Sequence, residues 1–336
     1  DQQIFGLAIG VVLAGIAQAF FQVPSLRSEG FRFRWVSPWR DPIMAEVVRK
    51  MIPGSIGVAA FQINILATQS FSFWFDPSIV ATFNYSVRLM ELPQGIFGIS
   101  LATYLLPALA GLAAGKKYPE FRQTLSQGLN YLSFANLMAA AIAFSLAAPI
   151  VRLLFQHGKF GPDATARVAI ALACLAPGLL MFSMNNILAR AFYALGDITT
   201  PMKISVGCLC LNLVFSIWLV RPYREAGLAV ANTMSATFNL LLLVYALRRK
   251  LSRLGLTSVV RTLLVLVPSA VVTGLVAHAI YRLWEVHLGN TALFARIGAV
   301  FVPSAVAAIL YWTAAYYAKV PAARDIIALA RRKVAR

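Results

Sequence analysis

The chain has 336 residues, 60% of them hydrophobic and 12% charged, and its mean hydropathy is +0.73. A soluble domain carries about 25% charged residues, so this composition excludes a disordered chain, a collagen and an ordinary soluble enzyme. The formal charge of +18 would point to nucleic acid in a soluble protein. In a membrane protein bases collect in cytoplasmic loops, so no nucleic-acid partner is expected.

About 20 apolar residues cross the hydrocarbon core as a helix. Nine candidate spans satisfy this: 4–23, 51–75, 78–111, 125–149, 164–195, 201–220, 226–247, 259–281 and 292–317. The third and fifth exceed one crossing, so they must tilt, kink or extend beyond the bilayer. The apolar runs are continuous rather than alternating, which predicts an all-α polytopic membrane protein and not a barrel. The chain opens on Asp1 rather than Met and is apolar from Ile4, which predicts the C-terminal part of a longer protein.

Bases are mostly richer in every second loop. Residues 24–50 hold Arg27, Arg32, Arg34, Arg40, Arg49 and Lys50, whereas the turn at Asp76 and Pro77 holds none. Lys116, Lys117 and Arg122 follow, then Arg248, Arg249, Lys250 and Arg253, and finally a basic tail at 319–336. These loops and the C-terminus are expected to be cytoplasmic. Trp74, Trp218 and Trp284 fall at predicted outer ends, and Trp312, Tyr316 and Tyr317 near an inner one, as interfacial belts require. Cys174, Cys208 and Cys210 lie in apolar runs and read as small buried residues.

Deep in the spans the main ionisable residues are Arg88 and Glu91. Three apart, they share a helix face, which Asn84 and Gly95 continue. Either they form an ion pair that only neutralises itself, or Arg88 faces a polar cavity with Glu91 holding its geometry. An arginine at the bilayer centre costs about 2.5–3.5 kcal/mol on insertion scales and is a functional candidate by default. Gln62 and Gln69, seven apart, and stripes such as Asn232, Ser235 and Asn239 read singly as helix–helix glue. Together they suggest a bundle with a wet interior. No metal-binding cluster, phosphate loop or nucleophile elbow is present. The loop groups Asp163, Asp197 and His157 are scattered, so neither enzyme chemistry nor a cofactor is expected.

Three stretches carry a family resemblance: RLMELPQGIFGISLATYLLPALA at 88–110, LLFQHGKF at 153–160 and ARAFYALGDITTPMKI at 189–204. In order and spacing they resemble the bacterial lipid II flippases of the MurJ/MviN family, within the multidrug/oligosaccharidyl-lipid/polysaccharide exporter superfamily. The resemblance implies a two-lobed, fourteen-helix exporter fold, of which this chain is similar to helices six to fourteen. It divides the chain into a last helix of the first lobe (1–23), a basic cytoplasmic linker (24–50), a six-helix second lobe (51–247), two extra helices forming a lipid-tail groove (248–318) and a basic tail (319–336).

The implied activity is movement of lipid II from the inner to the outer leaflet of the cytoplasmic membrane by alternating access. Arg88 falls on a family arginine that lines the central cavity, and Glu91 on the acidic residue beside it. Asn84 and Gln62 are further candidates for substrate contact. Some relatives are thought to bind sodium on second-lobe helices, but the corresponding spans here carry no Asp, so no metal is expected. Implied partners are lipid II, membrane lipids and cell-wall synthesis proteins. The alternatives are an exporter of another polyprenyl-linked saccharide and a non-transporting membrane scaffold.

Overall fold

A computed structural model describes residues 2–30, 42–251, 254–289 and 292–325. The central part of the basic linker and the end of the tail lie outside the described residues. Contacts divide the chain into two compact units, 1–52 and 53–336. The first contains α1 (Gln2–Ser28), whose apolar side chains such as Phe5, Val11 and Phe21 are exposed. Such a surface suits lipid or another helix, not water.

In chain order the remaining helices are α2 (Pro42–Phe75), α3 (Pro77–Pro93), α4 (Ser100–Ala114), α5 (Tyr118–Ser145), α6 (Ala147–Phe155), α7 (Pro162–Leu175), α8 (Gly178–Ala194), α9 (Thr199–Leu251), α10 (Thr257–Leu288) and α11 (Leu293–Tyr317). Among the described residues there is no strand. Six helical stretches are long and apolar enough to cross a membrane, and α7 with α8 makes a seventh if the bent pair is one span.

Both over-long predicted spans are interrupted. Between α3 and α4 lies one π-helical segment, Gln94–Ile99. Pro93 just before it has no N–H to donate, which frees a carbonyl and loosens the ladder. At the far end of the segment the Ser100 hydroxyl donates to the Gly95 carbonyl at 3.0 Å. The fifth span bends by 48° between α7 and α8, where Pro177 stands. The fourth span ends earlier than the hydropathy predicts. The chain leaves the α conformation at Leu146 (φ −111°, ψ 22°), and α6 starts as a separate short helix.

Helix α9 has 53 residues, about 80 Å at 1.5 Å per residue, against about 30 Å of hydrocarbon. It is a hairpin of two crossings. Arg224 leaves the helical region (φ 49°, ψ −127°). The Ser235 hydroxyl donates to the Cys208 carbonyl at 2.6 Å, and the Asn239 amide to the Ser205 hydroxyl at 3.4 Å. Pairs 208–235 and 205–239 run in opposite order, so the two halves are antiparallel, as the separate spans 201–220 and 226–247 require. At the tip a Cβ on Gly227 would stand 2.2 Å from the Leu219 carbonyl oxygen, a distance only glycine tolerates.

The core of the second unit lies between α4, α5, α8 and the second half of α9, with Leu109, Leu125, Ile187, Phe192 and Leu247 buried. Helices α10 and α11 pack on α5 through Phe134, Leu266 and Tyr311, whose hydroxyl donates to the Phe134 carbonyl at 3.1 Å. Polar side chains also join neighbouring helices: Ser86 donates to the Val168 carbonyl and Asn185 to the Ala236 carbonyl. Among the thiols, Cys208 is buried, Cys174 half-buried and Cys210 exposed. Cys210 thus corrects the expectation of three buried cysteines, because it lies two residues from Cys208 on a different face of the helix.

Gly227→Ala should destabilise the protein by about 1–3 kcal/mol through overpacking at the hairpin tip. Gly207→Ala, where an added Cβ meets nothing within 4 Å, should be neutral or gain up to about 1 kcal/mol from helix propensity. Thermal unfolding in detergent checks the pair, and equal transition temperatures would refute the close approach at the tip.

Candidate functional site

Helix α3 carries two opposed stripes. Ile79, Thr82, Ser86 and Met90 are buried, the spacing of one helix face. Asn84, Arg88 and Glu91 lie on the other face and are exposed. Asp76 starts the helix: its carboxylate accepts from the Ser78 backbone N–H at 2.9 Å, and Pro77 follows it at the first helical position, a favoured N-terminal pairing.

On the exposed stripe, Arg88 Nη1 donates to Glu91 Oε2 at 2.8 Å. The two side chains are 76% and 51% exposed, so the pair is presented outward and is not folded into the core. The Gln69 amide, on α2, donates to Asn84 Oδ1 at 3.3 Å. Gln62 is also exposed, two turns earlier on α2. Of the four sequence candidates, Arg88 and Glu91 touch. Asn84 lies one turn before Arg88 and is tied to α2 through Gln69. Gln62 is connected only through the course of its helix. An exposed, singly paired arginine about 15 Å along its helix can still accept an anion. Guanidinium has five donors in a planar fork, and Glu91 engages one nitrogen.

A second ionic cluster was not foreseen. Arg167 on α7 donates to both carboxylate oxygens of Glu225, at 2.7 and 2.8 Å, to the Ser78 hydroxyl at 2.6 Å and to Asp76 at 3.4 Å. Arg224 approaches Asp76 at 3.8 Å. The Glu225 side chain is only 7% exposed. Glu225 lies at the hairpin tip between the spans 201–220 and 226–247, so its burial comes from the folding of the turn and not from a place deep in a span. In sequence Glu225 sits in a basic turn and Arg167 near the start of a span, so neither announces a partner. The only cue was an acidic residue in each of two base-poor or short turns. The arrangement pins the α2–α3 turn, α7 and the α9 tip together, which is structural work.

Two further ionic ties join separate elements. Arg152 on α6 meets Tyr281 and Glu285 on α10 at 3.2 and 3.0 Å. Lys250 meets Asp197 at 2.7 Å. Burial pushes the Asp197 carboxyl up, but its bonds from Lys250 and Thr200 outweigh that and leave it below the ordinary range. Asp76 is also held low, first by its hydrogen bonds from Ser78 and then by the charges of Arg167 and Arg224. Its contribution to stability is therefore complete above the ordinary carboxylate range and is lost as pH falls through the lowered native value.

Glu225→Ala should cost about 3 kcal/mol, because it strands Arg167 partly buried. Arg167→Met combined with Glu225→Leu should recover most of that loss. Asp76→Asn should flatten the acid limb of the stability profile. Unfolding followed from neutral to acid pH measures all three, and an unchanged profile in Asp76→Asn would remove the carboxylate from the network's energetics.

Comparison with known proteins places this geometry. The family described as "Lipid II flippase MurJ" matches residues 1–299. A "Probable lipid II flippase MurJ" of Vibrio cholerae is 33% identical over 274 residues, covering 78% of this chain and 52% of that protein. The "Lipid II flippase MurJ" of Burkholderia cenocepacia is 30% identical, covering 74% of this chain and 49% of that protein. The chain thus spans about half the length of the curated relatives it matches. A solved structure described as "Lipid II flippase MurJ, inward closed conformation" superposes with a TM-score of 0.64 at 18% identity, covering 88% of this chain and 57% of that one. Fold and sequence agree, and this multi-pass, all-helical chain belongs to the lipid II flippase MurJ family.

Proposed function

We propose that the chain takes part in moving lipid II across the bacterial cytoplasmic membrane, and that Arg88 binds the lipid's diphosphate. The observation that carries the reading is the Arg88–Glu91 pair, exposed on the α3 face opposite the packed one. Family membership supplies the substrate. A diphosphate cannot enter hydrocarbon unpaired. Arginine suits it, since its fork binds phosphate oxygens in pairs and stays protonated. Glu91 holds one guanidinium nitrogen and so orients the rest of the fork, while Asn84 and Gln62 line the same polar approach.

In this reading residues 51–247 act as one lobe of an alternating-access transporter, and residues 248–318 guide the lipid tail. The protein is a transporter and catalyses no bond change. The lobe rocks while the cavity arginine stays in place. An inside-negative potential then assists the anionic headgroup outward, at about 2.3 kcal/mol per charge across 100 mV. The alternation of basic loops supports a cytoplasmic C-terminus.

The test is outer-leaflet exposure of lipid II in bacteria depleted of their own flippase and complemented with the complete protein. Wild type should restore exposure. Arg88→Ala should abolish it at equal expression. Arg88→Lys should fall in between, because it keeps the charge and loses the fork. Collapsing the membrane potential should slow exposure. Normal transport by Arg88→Ala would refute the arginine's role, and no exposure from well-expressed wild type would point to another polyprenyl-linked saccharide.

A further inference from the structure

A cavity of about 570 Å³ opens where α5 and α10 begin, within the size range of small-molecule sites, about 300–1,000 Å³. None of Gln62, Asn84, Arg88 and Glu91 lines it, so it is separate from the diphosphate site. Its walls include Arg122, Asn130 and Tyr131 of α5, Ser258 of α10 and Asp325 after α11.

Three features define what it would hold. The first is Asn130, only 5% exposed. Its amide nitrogen donates to the Ser258 hydroxyl at 3.1 Å, while its Oδ1 is buried with no hydrogen-bond partner. Leaving such an acceptor unmet is costly, and Asn130 is one of the residues that line the cavity.

The second feature is positive. Helices α5 and α10 both start at this cavity, and neither Lys117 nor Leu256 caps its helix with a side chain. The positive ends of the two helix dipoles favour an anion, although at the α5 start the Tyr118 N–H already donates to the Lys116 carbonyl and Pro119 has none to offer. The Arg122 guanidinium adds a full charge, braced by the carbonyls of Tyr118 at 3.1 Å and Leu251 at 3.5 Å.

The third feature is negative. The Asp325 carboxylate accepts from the Tyr131 hydroxyl at 2.6 Å, and a carboxylate has capacity for further donors. Among the described lining residues Arg122 and Asp325 carry opposite charges, so the walls are dipolar. A plain anion would meet Asp325, and a plain cation would meet Arg122 and the helix ends. A trimethylated ammonium could enter but could not donate to Asn130.

We propose that this cavity binds a phosphate ester bearing a primary ammonium, the headgroup of an ethanolamine phospholipid, with its phosphate toward Arg122 and the helix N-termini and its ammonium toward Asn130 Oδ1 and Asp325. The site lies at the ends of crossing helices, the depth at which headgroups sit, so the lipid is the source and not a soluble ester.

The full chain in detergent is titrated with phosphatidylethanolamine, phosphatidylcholine, phosphatidylglycerol and glycerophosphoethanolamine, and bound adducts are counted by native mass spectrometry. One ethanolamine lipid should be retained at least about tenfold over the choline and glycerol lipids, the order expected for one charge-assisted hydrogen bond. Asn130→Ala should erase the preference. Asp325→Asn keeps the shape and the Tyr131 bond, should also erase the preference and should leave the lipid-free unfolding temperature unchanged. It carries the test if Asn130→Ala folds poorly. Equal retention of ethanolamine and choline lipids, or an unchanged preference in Asp325→Asn, would overturn the site. Equal affinity for glycerophosphoethanolamine would overturn the lipid source.

Discussion

A charge inside a bilayer must be paired, wet or expelled, and the arrangement of this bundle follows from how each ion meets that demand. Arg167 and Glu225 are paired and mostly buried, with Asp76 and Ser78 completing the shell. Arg152 is satisfied by α10 through Tyr281 and Glu285. These ties join separate helices near their ends and leave the middle of the core to aliphatic and aromatic packing. Arg88 is the contrasting case. It is paired only with a neighbour on its own helix and points away from the core, so it needs water or an anionic ligand to be tolerable at that depth. The same electrostatic rule that stabilises the outer turns is what the proposed diphosphate-binding role of Arg88 rests on.

Hydropathy and charge made most of the fold legible. The nine apolar runs locate the helices, and the separate crossings read at 201–220 and 226–247 are the two halves of the hairpin that breaks at Arg224. The over-long spans announced interruptions, and proline marked where they fall. What stayed hidden depends on contacts between distant residues. The break at Leu146 has no proline or glycine to signal it. Glu225 looked like a loop residue until the hairpin folded it beneath Arg167.

The candidate site was legible to a different degree. Helical spacing alone puts Asn84, Arg88 and Glu91 on one face, and the structure places them there. The link between Asn84 and Gln69 needed two helices side by side. One end of the Asn130 amide is glue between helices, donating to Ser258. The other end is not, because a side chain with two polar ends can do different work at each. Residue type and periodicity cannot separate those ends.

The π-helical segment at Gln94–Ile99 has a consequence for evolution and engineering alike. A π turn holds one residue more than the α-helix it interrupts, which rotates everything on one side of it by about 100° relative to the other. It therefore works as a phase shifter, letting α3 and α4 address different neighbours while remaining one continuous rod. Substitutions within it are a matter of local packing. An insertion or deletion there would turn the whole Arg88 stripe away from its present direction, so this short stretch should tolerate changes of identity far better than changes of length.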